Sequence, residues 1–258
     1  MWQWLSFSKS YMQRNTMTRQ RHRVAPSLRL FSIYRSLWEY RANDLREFLR
    51  ISEGGLASKF EDWGDWYEER TKGLSDEQRS EFIDDYYDDL AMVRDTAPNL
   101  FRHAAFVMIV GFFEATVADI CRLLHRTKKV THAPRQKLYL DASSEYLTAK
   151  AGLPALLFGG PWDRCKQAEW LRDAIIHNNG RLPAHADGKL GDAVEAARGF
   201  VEGSAHISLS NHGDILIDAG FCEDVLELHE KMVRRLLKMV ERAFFVECAR
   251  HDEVQNDT

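Results

Sequence analysis

The spacing of apolar residues predicts that the chain begins its folded part with a long amphipathic helix. From Ser27 to Arg50, apolar side chains recur every three or four positions, which places them along one face of a helix. Gly54 and Gly55 predict the end of this helix, and the aromatic segment 61–73 behind them is interpreted as a connection. The predicted stripe consists of Leu30, Ile33, Leu37, Tyr40 (or Arg41), Leu45 and Leu49.

Two further helices are predicted in the middle of the chain. The sequence SDEQ, which starts at Ser75, is a capping-box pattern, so a helix is expected from there to a break at Pro98. The next helix, about 99–126, has almost no polar face in its middle, which predicts a central position in the core. Its expected apolar contacts are Leu100, Ala104, Val107, Met108, Phe112, Val117, Ile120 and Leu124.

The C-terminal half is predicted to contain further helices and one β-hairpin. A short helix is expected over 143–151 and the last helix over about 222–249. Between them, Pro161 suits the first turn of a helix, and Asn179 with Gly180 suits its C-terminal cap. Beyond this cap, apolar and polar residues alternate in HISLSNHGDILIDAG, which predicts a small hairpin.

Together these elements predict a mainly α fold, with one helical domain over 27–250 and a small hairpin before its last helix. The flanking segments 1–26 and 251–258 are expected to be disordered tails. Residues 1–35 include seven Lys or Arg and no acidic residue. For the first segment, a disordered tail or a start codon assigned too early is favoured over a mitochondrial transit peptide, and all three stay open.

The composition is typical of a soluble protein from a reducing compartment, and a cytoplasmic location is expected. The four cysteines are widely separated and form no CxxC pair, so neither disulfides nor a cysteine-rich zinc site is expected. The apolar run 104–113 is too short to span a bilayer, so no membrane partner is expected.

The charge pattern limits how the chain can bind nucleic acid. A formal net charge of −4 argues against binding through one large basic surface. A local patch remains compatible with this charge, and 121–137 is the most basic internal stretch. An ordinary solvated loop explains this stretch at least as well. The candidate RNA-binding residues in it are Arg126, Lys128, Lys129 and Arg135.

The most informative segment is LRDAIIHNNG, at 171–180, which places polar side chains at a helix end. Asp173 and His177 are four residues apart, so the carboxylate is in position to orient the imidazole. Arg172 and His177 lie about 140° apart around a helix, so they converge only through the reach of the arginine or fraying of the helix end. An imidazole beside a phosphate-binding guanidinium suits phosphodiester chemistry. Glu114 interrupts the apolar third helix and is a candidate partner for Arg172.

The pattern Arg172-Asp173-x-x-x-His177 resembles the Arg-x4–6-His motif of HEPN domains (higher eukaryotes and prokaryotes nucleotide-binding), in which a polar residue commonly follows the arginine. The ending LRDAIIHNNG is similar to the R-N-x-x-x-H-N-x-G ending of many uncharacterised prokaryotic HEPN-like proteins. The strong part of the resemblance is this short segment. Over the rest of 27–249 the resemblance is architectural.

The resemblance implies a HEPN-like helical bundle that dimerises, so that two motifs meet in one cleft. It implies a metal-independent endoribonuclease without cofactors, of the kind found among toxins and anti-phage defence effectors. His177 would be the general acid/base at the ribose 2′-OH and the leaving 5′-oxygen. Arg172 would stabilise the pentacoordinate phosphate, and Asp173 would orient either of them, with Asn178 and Glu114 as supporting residues. The expected partners are RNA, a second copy of the chain, and an antitoxin or effector protein.

Two other interpretations remain open at this stage. The first is a catalytically inactive HEPN-like module that binds a nucleotide, an RNA or a protein. The second is a plain helical scaffold, in which His177 caps a helix and Arg172 and Asp173 only form salt bridges.

Overall fold

The structure, a computed structural model, describes residues 26–127, 130–135, 139–183 and 188–256. The prediction of a disordered N-terminal tail therefore lies outside the described residues, apart from Pro26, which begins the first helix. Of the predicted C-terminal tail, residues 251–256 belong to the last helix, which continues to Asn256, and only 257–258 lie outside the described residues.

The described residues form eight α-helices and one two-stranded antiparallel sheet, so the mainly α prediction is confirmed. A π-helical segment at Met92–Thr96 joins the third helix to the fourth, a second at Tyr146–Lys150 follows the fifth, and a 3₁₀ turn lies at Ala155–Phe158. The α-helices are α1 (Pro26–Thr71), α2 (Asp76–Asp85), α3 (Tyr87–Ala91), α4 (Ala97–Arg126), α5 (Leu140–Glu145), α6 (Pro161–His177), α7 (Gly188–Glu202) and α8 (Ala219–Asn256), and the strands are β1 (Ile207–Leu209) and β2 (Ile215–Ile217).

Helix α1 is longer than predicted and does not end at its glycine pair. It continues through 61–71, so the interpretation of the aromatic segment as a connection is wrong. The reason is tertiary packing: Trp66 contacts Phe82 and Tyr86, with ring centroids 5.5 and 5.0 Å apart. These contacts hold the end of α1 against α2, and they outweigh the low helix propensity of two glycines. The capping box predicted at Ser75 is confirmed at the start of α2.

The buried face of α1 also differs from the predicted stripe. Trp38 stacks on Phe112 of α4, with ring centroids 4.5 Å apart and planes 8° apart. This contact turns the face of Trp38, Ala42 and Leu49 into the core. The prediction is wrong for three members of the stripe, which are exposed: Ile33, Leu37 and Tyr40.

Helix α4 contributes buried side chains to both hydrophobic clusters of the described residues, which agrees with its predicted central position, but part of its surface is exposed. No break occurs at Pro98, because proline is compatible with the first turn of α4 and the backbone before it is already helical. The prediction is wrong for two of its expected apolar contacts, since Leu100 and Met108 are 61% and 45% exposed. By length and composition, the helical stretch 87–126 is apolar enough to cross a membrane, but 56% of its most apolar window is buried inside the protein.

The hairpin and α7 contribute to the same buried hydrophobic cluster as α6. The predicted hairpin is confirmed, with Ile207 paired to Ile217 across the strands. It is fastened to α4, since the Asn99 side-chain amide donates to the Ile215 carbonyl at 3.0 Å. Helix α7 lies in a stretch that the sequence left without an element, and it packs closely on α6. Helix α6 is therefore held between α4 on one side and α7 on the other.

Candidate functional site

The C-terminal end of α6 is fixed by the cap that the sequence predicts. Asn179 and Gly180 both take positive φ angles, of 52° and 77°, and the Gly180 amide donates to the Ile175 carbonyl at 3.1 Å. A Cβ atom at Gly180 would lie 2.8 Å from Cε1 of His103, so this position also requires glycine because α4 is close. His103 in turn contacts the Ile215 carbonyl through Nε2 at 2.9 Å. The helix end that carries His177 is thus tied to both α4 and the hairpin.

Arg172 points from α6 towards α4 and is held there by two carboxylates. Its Nη2 donates to Oε1 of Glu114 at 2.6 Å, so the contact expected between these two residues is present. Its Nε lies 2.8 Å from Oδ1 of Asp173, close enough for an ion pair although without hydrogen-bond geometry. Only 14% of the arginine side chain and 16% of the Glu114 side chain are exposed. The guanidinium is therefore a largely buried, paired charge rather than a free surface cation.

Glu169 is a third carboxylate in this cluster, and the sequence reasoning missed it. It lies one helical turn before Arg172 and is only 6% exposed, and its Oε1 has no hydrogen-bond partner among the described residues. Burial, followed by a hydrogen bond with Glu114 and the negative charge of Glu114, raises the pKa of Glu169 to about 8. Glu169 therefore carries a proton at neutral pH. Its i, i+3 spacing from Arg172 was the available signal, but that spacing is common in solvent-exposed ion pairs.

His177 lies on another side of α6 and faces a cavity between α6 and α7. It is the last residue of the helix, it is exposed, and neither ring nitrogen has a hydrogen-bond partner among the described residues. The cavity has a volume of about 230 Å³. Its apolar lining consists of the Trp170 indole ring and the side chains of Ala174, Leu182, Val194 and Ala197. Its polar lining consists of Asp173, His177 and Asn178.

The structure therefore brings together some of the predicted site residues and separates others. Asp173 and Asn178 border the same cavity as His177. Arg172 and Glu114 meet on the side of α4, and Arg172 makes no contact with His177 among the described residues. Of the two roles expected for Asp173, the geometry matches contact with Arg172, whereas the described residues include no hydrogen bond from the His177 ring to Asp173.

The candidate RNA-binding patch lies away from this cavity. Arg126 ends α4 and is exposed, about 18 Å along the helix axis beyond Glu114. Arg135 borders a separate cavity with His132 and Lys150. Lys128 and Lys129 lie outside the described residues. Since His177 is near the opposite end of the α4–α6 pair, an RNA would have to cross the protein to contact both regions.

Metal ligands and thiol nucleophiles do not add to the site within the part of the chain that the structure describes. No group of three His, Cys, Asp or Glu side chains there is arranged to hold a metal ion. Cys121, Cys165 and Cys222 are buried, and burial raises the pKa of each thiol to about 12. These thiols are therefore not thiolates at neutral pH.

Comparison with known proteins finds no family model, no curated protein and no solved structure that matches this chain. The function is accordingly argued from the residues and geometry of the site.

Proposed function

We propose that the protein is a metal-independent endoribonuclease of the HEPN type, cytoplasmic, without a cofactor, and active as a homodimer with a composite site. The observation that carries the proposal is the state of His177. It is an exposed imidazole with both nitrogens unpartnered among the described residues, on the rim of a cavity and five residues from a guanidinium.

In this proposal the imidazole moves protons and the guanidinium binds phosphate. His177 takes the proton of the ribose 2′-OH or supplies one to the leaving 5′-oxygen, since its ring nitrogens have no other partner among the described residues. Cleavage then leaves a 2′,3′-cyclic phosphate, or a 3′-phosphate after its hydrolysis, and a 5′-hydroxyl. Asp173 and Glu114 set the position of Arg172 and so act as positioning residues.

Arg172 has to change partners before it can stabilise a phosphate. In the resting arrangement, Glu114 holds Nη2 and Asp173 lies against Nε. A phosphate that accepts two parallel hydrogen bonds from the guanidinium must replace Glu114. This bidentate pair is stronger than the single hydrogen bond that Glu114 accepts. Arg172 exchanges Glu114 for the phosphate when RNA or a second protomer binds.

The uncovered face of α4 supports the homodimer. The exposed side chains along one face of α4 form an apolar strip, which consists of Leu100, Ala104, Met108 and Ala115. On one side of the strip is α1, and on the other is Glu114, which pairs with Arg172. Monomeric proteins rarely leave such a strip in water. A second copy packed here would lie directly beside the arginine cluster.

The first test is cleavage of mixed RNA by the purified protein in EDTA, with Arg172→Ala and His177→Ala in parallel. We expect both variants to lose cutting by at least about a hundredfold, as is usual when a general acid/base is removed. His212→Ala is the matched control for the imidazole, since His212 is also exposed but lies on the hairpin. Arg102→Ala is the control for the ion pair, because Arg102 and Glu53 form a similarly half-buried pair at 2.7 Å elsewhere. Equal cutting by His177→Ala and the wild type would refute the proposal.

The second test concerns the dimer. Met108→Lys places a charge in the middle of the α4 strip, and we expect it to shift the protein from dimer to monomer in light scattering after size exclusion. Leu216→Lys is the control, because Leu216 is 43% exposed but lies on β2. A wild-type protein that is monomeric at micromolar concentration would contradict this part of the proposal.

A catalytically inactive binding module is the second candidate, and one observation favours it. The charge of Arg172 is already compensated by Glu114 and Asp173, an arrangement that is complete without RNA. Such a module would bind RNA, a nucleotide, or an antitoxin or effector partner without cutting. Binding of RNA by the wild type without any cleavage would select this alternative.

A further inference from the structure

We propose that the cavity between α6 and α7 is a base-recognition subsite, which holds an amino-bearing nucleobase (adenine, cytosine or guanine) of the RNA beside His177. The inference rests on the proposed function, because it identifies the part of the substrate that the same site would select. It adds a specificity determinant to that function. The determinant consists of Trp170, Asp173, Asn178 and the apolar residues of α7.

The walls of the cavity fit a flat ring. Val194 and Ala197 of α7 are buried and present only aliphatic groups, and Leu182 closes the end near the α6 cap. Trp170 is half-buried and contributes an aromatic surface. Nζ of Lys166 lies 5.8 Å from the centroid of the Trp170 ring, a cation–π contact that helps to hold the indole in place. Aromatic side chains of this kind are the usual stacking surface for an unpaired base.

The polar groups that line the cavity favour a particular hydrogen-bond pattern. Asp173 offers carboxylate oxygens, which only accept hydrogen bonds when ionised, and its side chain is 49% exposed. The side chain of Asn178 has no hydrogen-bond partner among the described residues, and it can both donate and accept. An exocyclic amino group donates to the carboxylate while a ring nitrogen or carbonyl of the same base pairs with the amide. Uracil has no amino group, and its one donor on this edge, the N3–H, lies between two carbonyl oxygens that the carboxylate of Asp173 would repel.

The cavity also lies in the correct place for a substrate of His177. The imidazole borders it, so a base held inside places its own ribose and the adjoining phosphate near the ring nitrogens. An apolar cavity with a few convergent polar groups beside a titratable residue is the common form of a small-ligand site. A purely structural void would have no reason to combine an indole with three polar side chains at its rim.

The test measures binding without cleavage, so that it does not depend on the nuclease activity. Calorimetry is performed on the full-length protein with two kinds of probe: the four nucleoside 3′-monophosphates, and RNA tetranucleotides with a 2′-deoxy sugar at the cleavage position. We expect tetranucleotides with adenine, cytosine or guanine at that position to bind about tenfold more tightly than the uracil version, from one hydrogen bond to a charged acceptor. Equal binding of the monophosphates and tetranucleotides would identify a free nucleotide, rather than RNA, as the ligand of the subsite.

Substitutions at three positions test the residues of the subsite, and a fourth position, Ala196, provides the control. Val194→Phe fills the cavity and should lower the affinity for tetranucleotides about tenfold, whereas Ala196→Leu, one of its neighbours on α7 outside the cavity, should not. Trp170→Leu should weaken binding by a similar factor and Trp170→Phe should restore most of it, because the phenyl ring still stacks. Asp173→Asn should reduce the preference against uracil, since its amide group can donate to the uracil carbonyl.

The outcomes separate the subsite from the nuclease. Selective binding that depends on Val194 and Trp170, in a protein that does not cut RNA, supports the subsite and refutes the nuclease. Cutting that is equally fast beside all four bases and unchanged in Val194→Phe refutes the subsite and leaves the nuclease standing. Absence of binding by every probe, in a protein that also does not cut, refutes both.

Discussion

The buried carboxylate of Glu169 leads to a prediction about stability and pH. Glu169 is 6% exposed beside Glu114, and burial with this neighbour raises its pKa from the ordinary value of 4.5 to about 8. In the unfolded chain the same side chain loses its proton near pH 4.5. Between these two pH values, folding therefore takes up a proton, and each pH unit costs about 1.4 kcal/mol. The contribution of Glu169 to the free energy of unfolding should therefore fall by several kcal/mol, on the order of 1.4 kcal/mol per pH unit, as the pH rises from 4.5 to 8.

Glu169→Gln should remove this loss. Glutamine has the shape of the protonated glutamate, and its amide can still donate a hydrogen bond to Glu114. We expect the variant and the wild type to be about equally stable near pH 4.5, and the variant to be more stable by several kcal/mol at pH 8. Urea unfolding followed by circular dichroism at half-unit steps from pH 4.5 to 8.5 measures the difference.

Glu195 provides the control for this experiment. Glu195→Gln removes an exposed carboxylate of α7 and should leave the pH profile parallel to that of the wild type. If Glu169→Gln and the wild type also gave parallel profiles, Glu169 would not be protonated in the folded protein. The description of Glu169 as a buried, protonated carboxylic acid beside Glu114 would then be wrong.

Substitutions at His229, Gly180 and Ser75 test the packing and capping of the helices, with Gly199 as a control. Burial lowers the pKa of His229 to about 3, so the wild type has its full stability above pH 6.5 and loses stability as the pH falls towards 3. His229→Phe removes this titration and should raise the stability below pH 6.5. Urea unfolding at pH 5 and pH 7 measures the difference. Gly180→Ala should cost about 1–3 kcal/mol, because a Cβ atom would strike His103 at a φ of 77°, whereas Gly199→Ala, with no atom within 4 Å, should not lower the melting temperature. Ser75→Ala should cost about 1 kcal/mol and increase hydrogen exchange in the first turn of α2, since it removes the capping box; unchanged exchange would show that the cap does not stabilise this helix.

The elements that could be predicted are those with local boundary signals. Helix α6 begins at Pro161 and is terminated by Asn179 and Gly180, and the hairpin turns at His212 and Gly213. Helix α7 has no such signals: it begins and is interrupted by glycines, and it is stabilised by the burial of Val194, Ala197 and Phe200, which local pattern does not reveal. Tertiary contacts override propensity at such positions.

The orientation of the helices could not be predicted for a related reason. Helix α1 contains two apolar stripes, and only the stacking of Trp38 on Phe112 determines which stripe is buried. In the site, the spacing of Arg172 and His177 indicated that they point in different directions, and the fold places them against different helices. The participation of Glu169 depends on the distance between α4 and α6, and that distance is a property of the fold rather than of the segment.

The composition of the arginine cluster bears on whether it has a function. A structural ion pair between α4 and α6 needs one carboxylate for Arg172, yet Glu114, Asp173 and Glu169 all surround it. The additional buried carboxylate destabilises the fold at neutral pH, which is common at sites where charge is arranged for chemistry. RNA cleavage by Glu169→Gln separates the two explanations. A variant that is more stable and cuts RNA at least tenfold more slowly, with unchanged tetranucleotide affinity, would show that Glu169 positions Arg172 for the reaction. A variant that is more stable and cuts at the wild-type rate would make the third carboxylate a structural cost without a catalytic role.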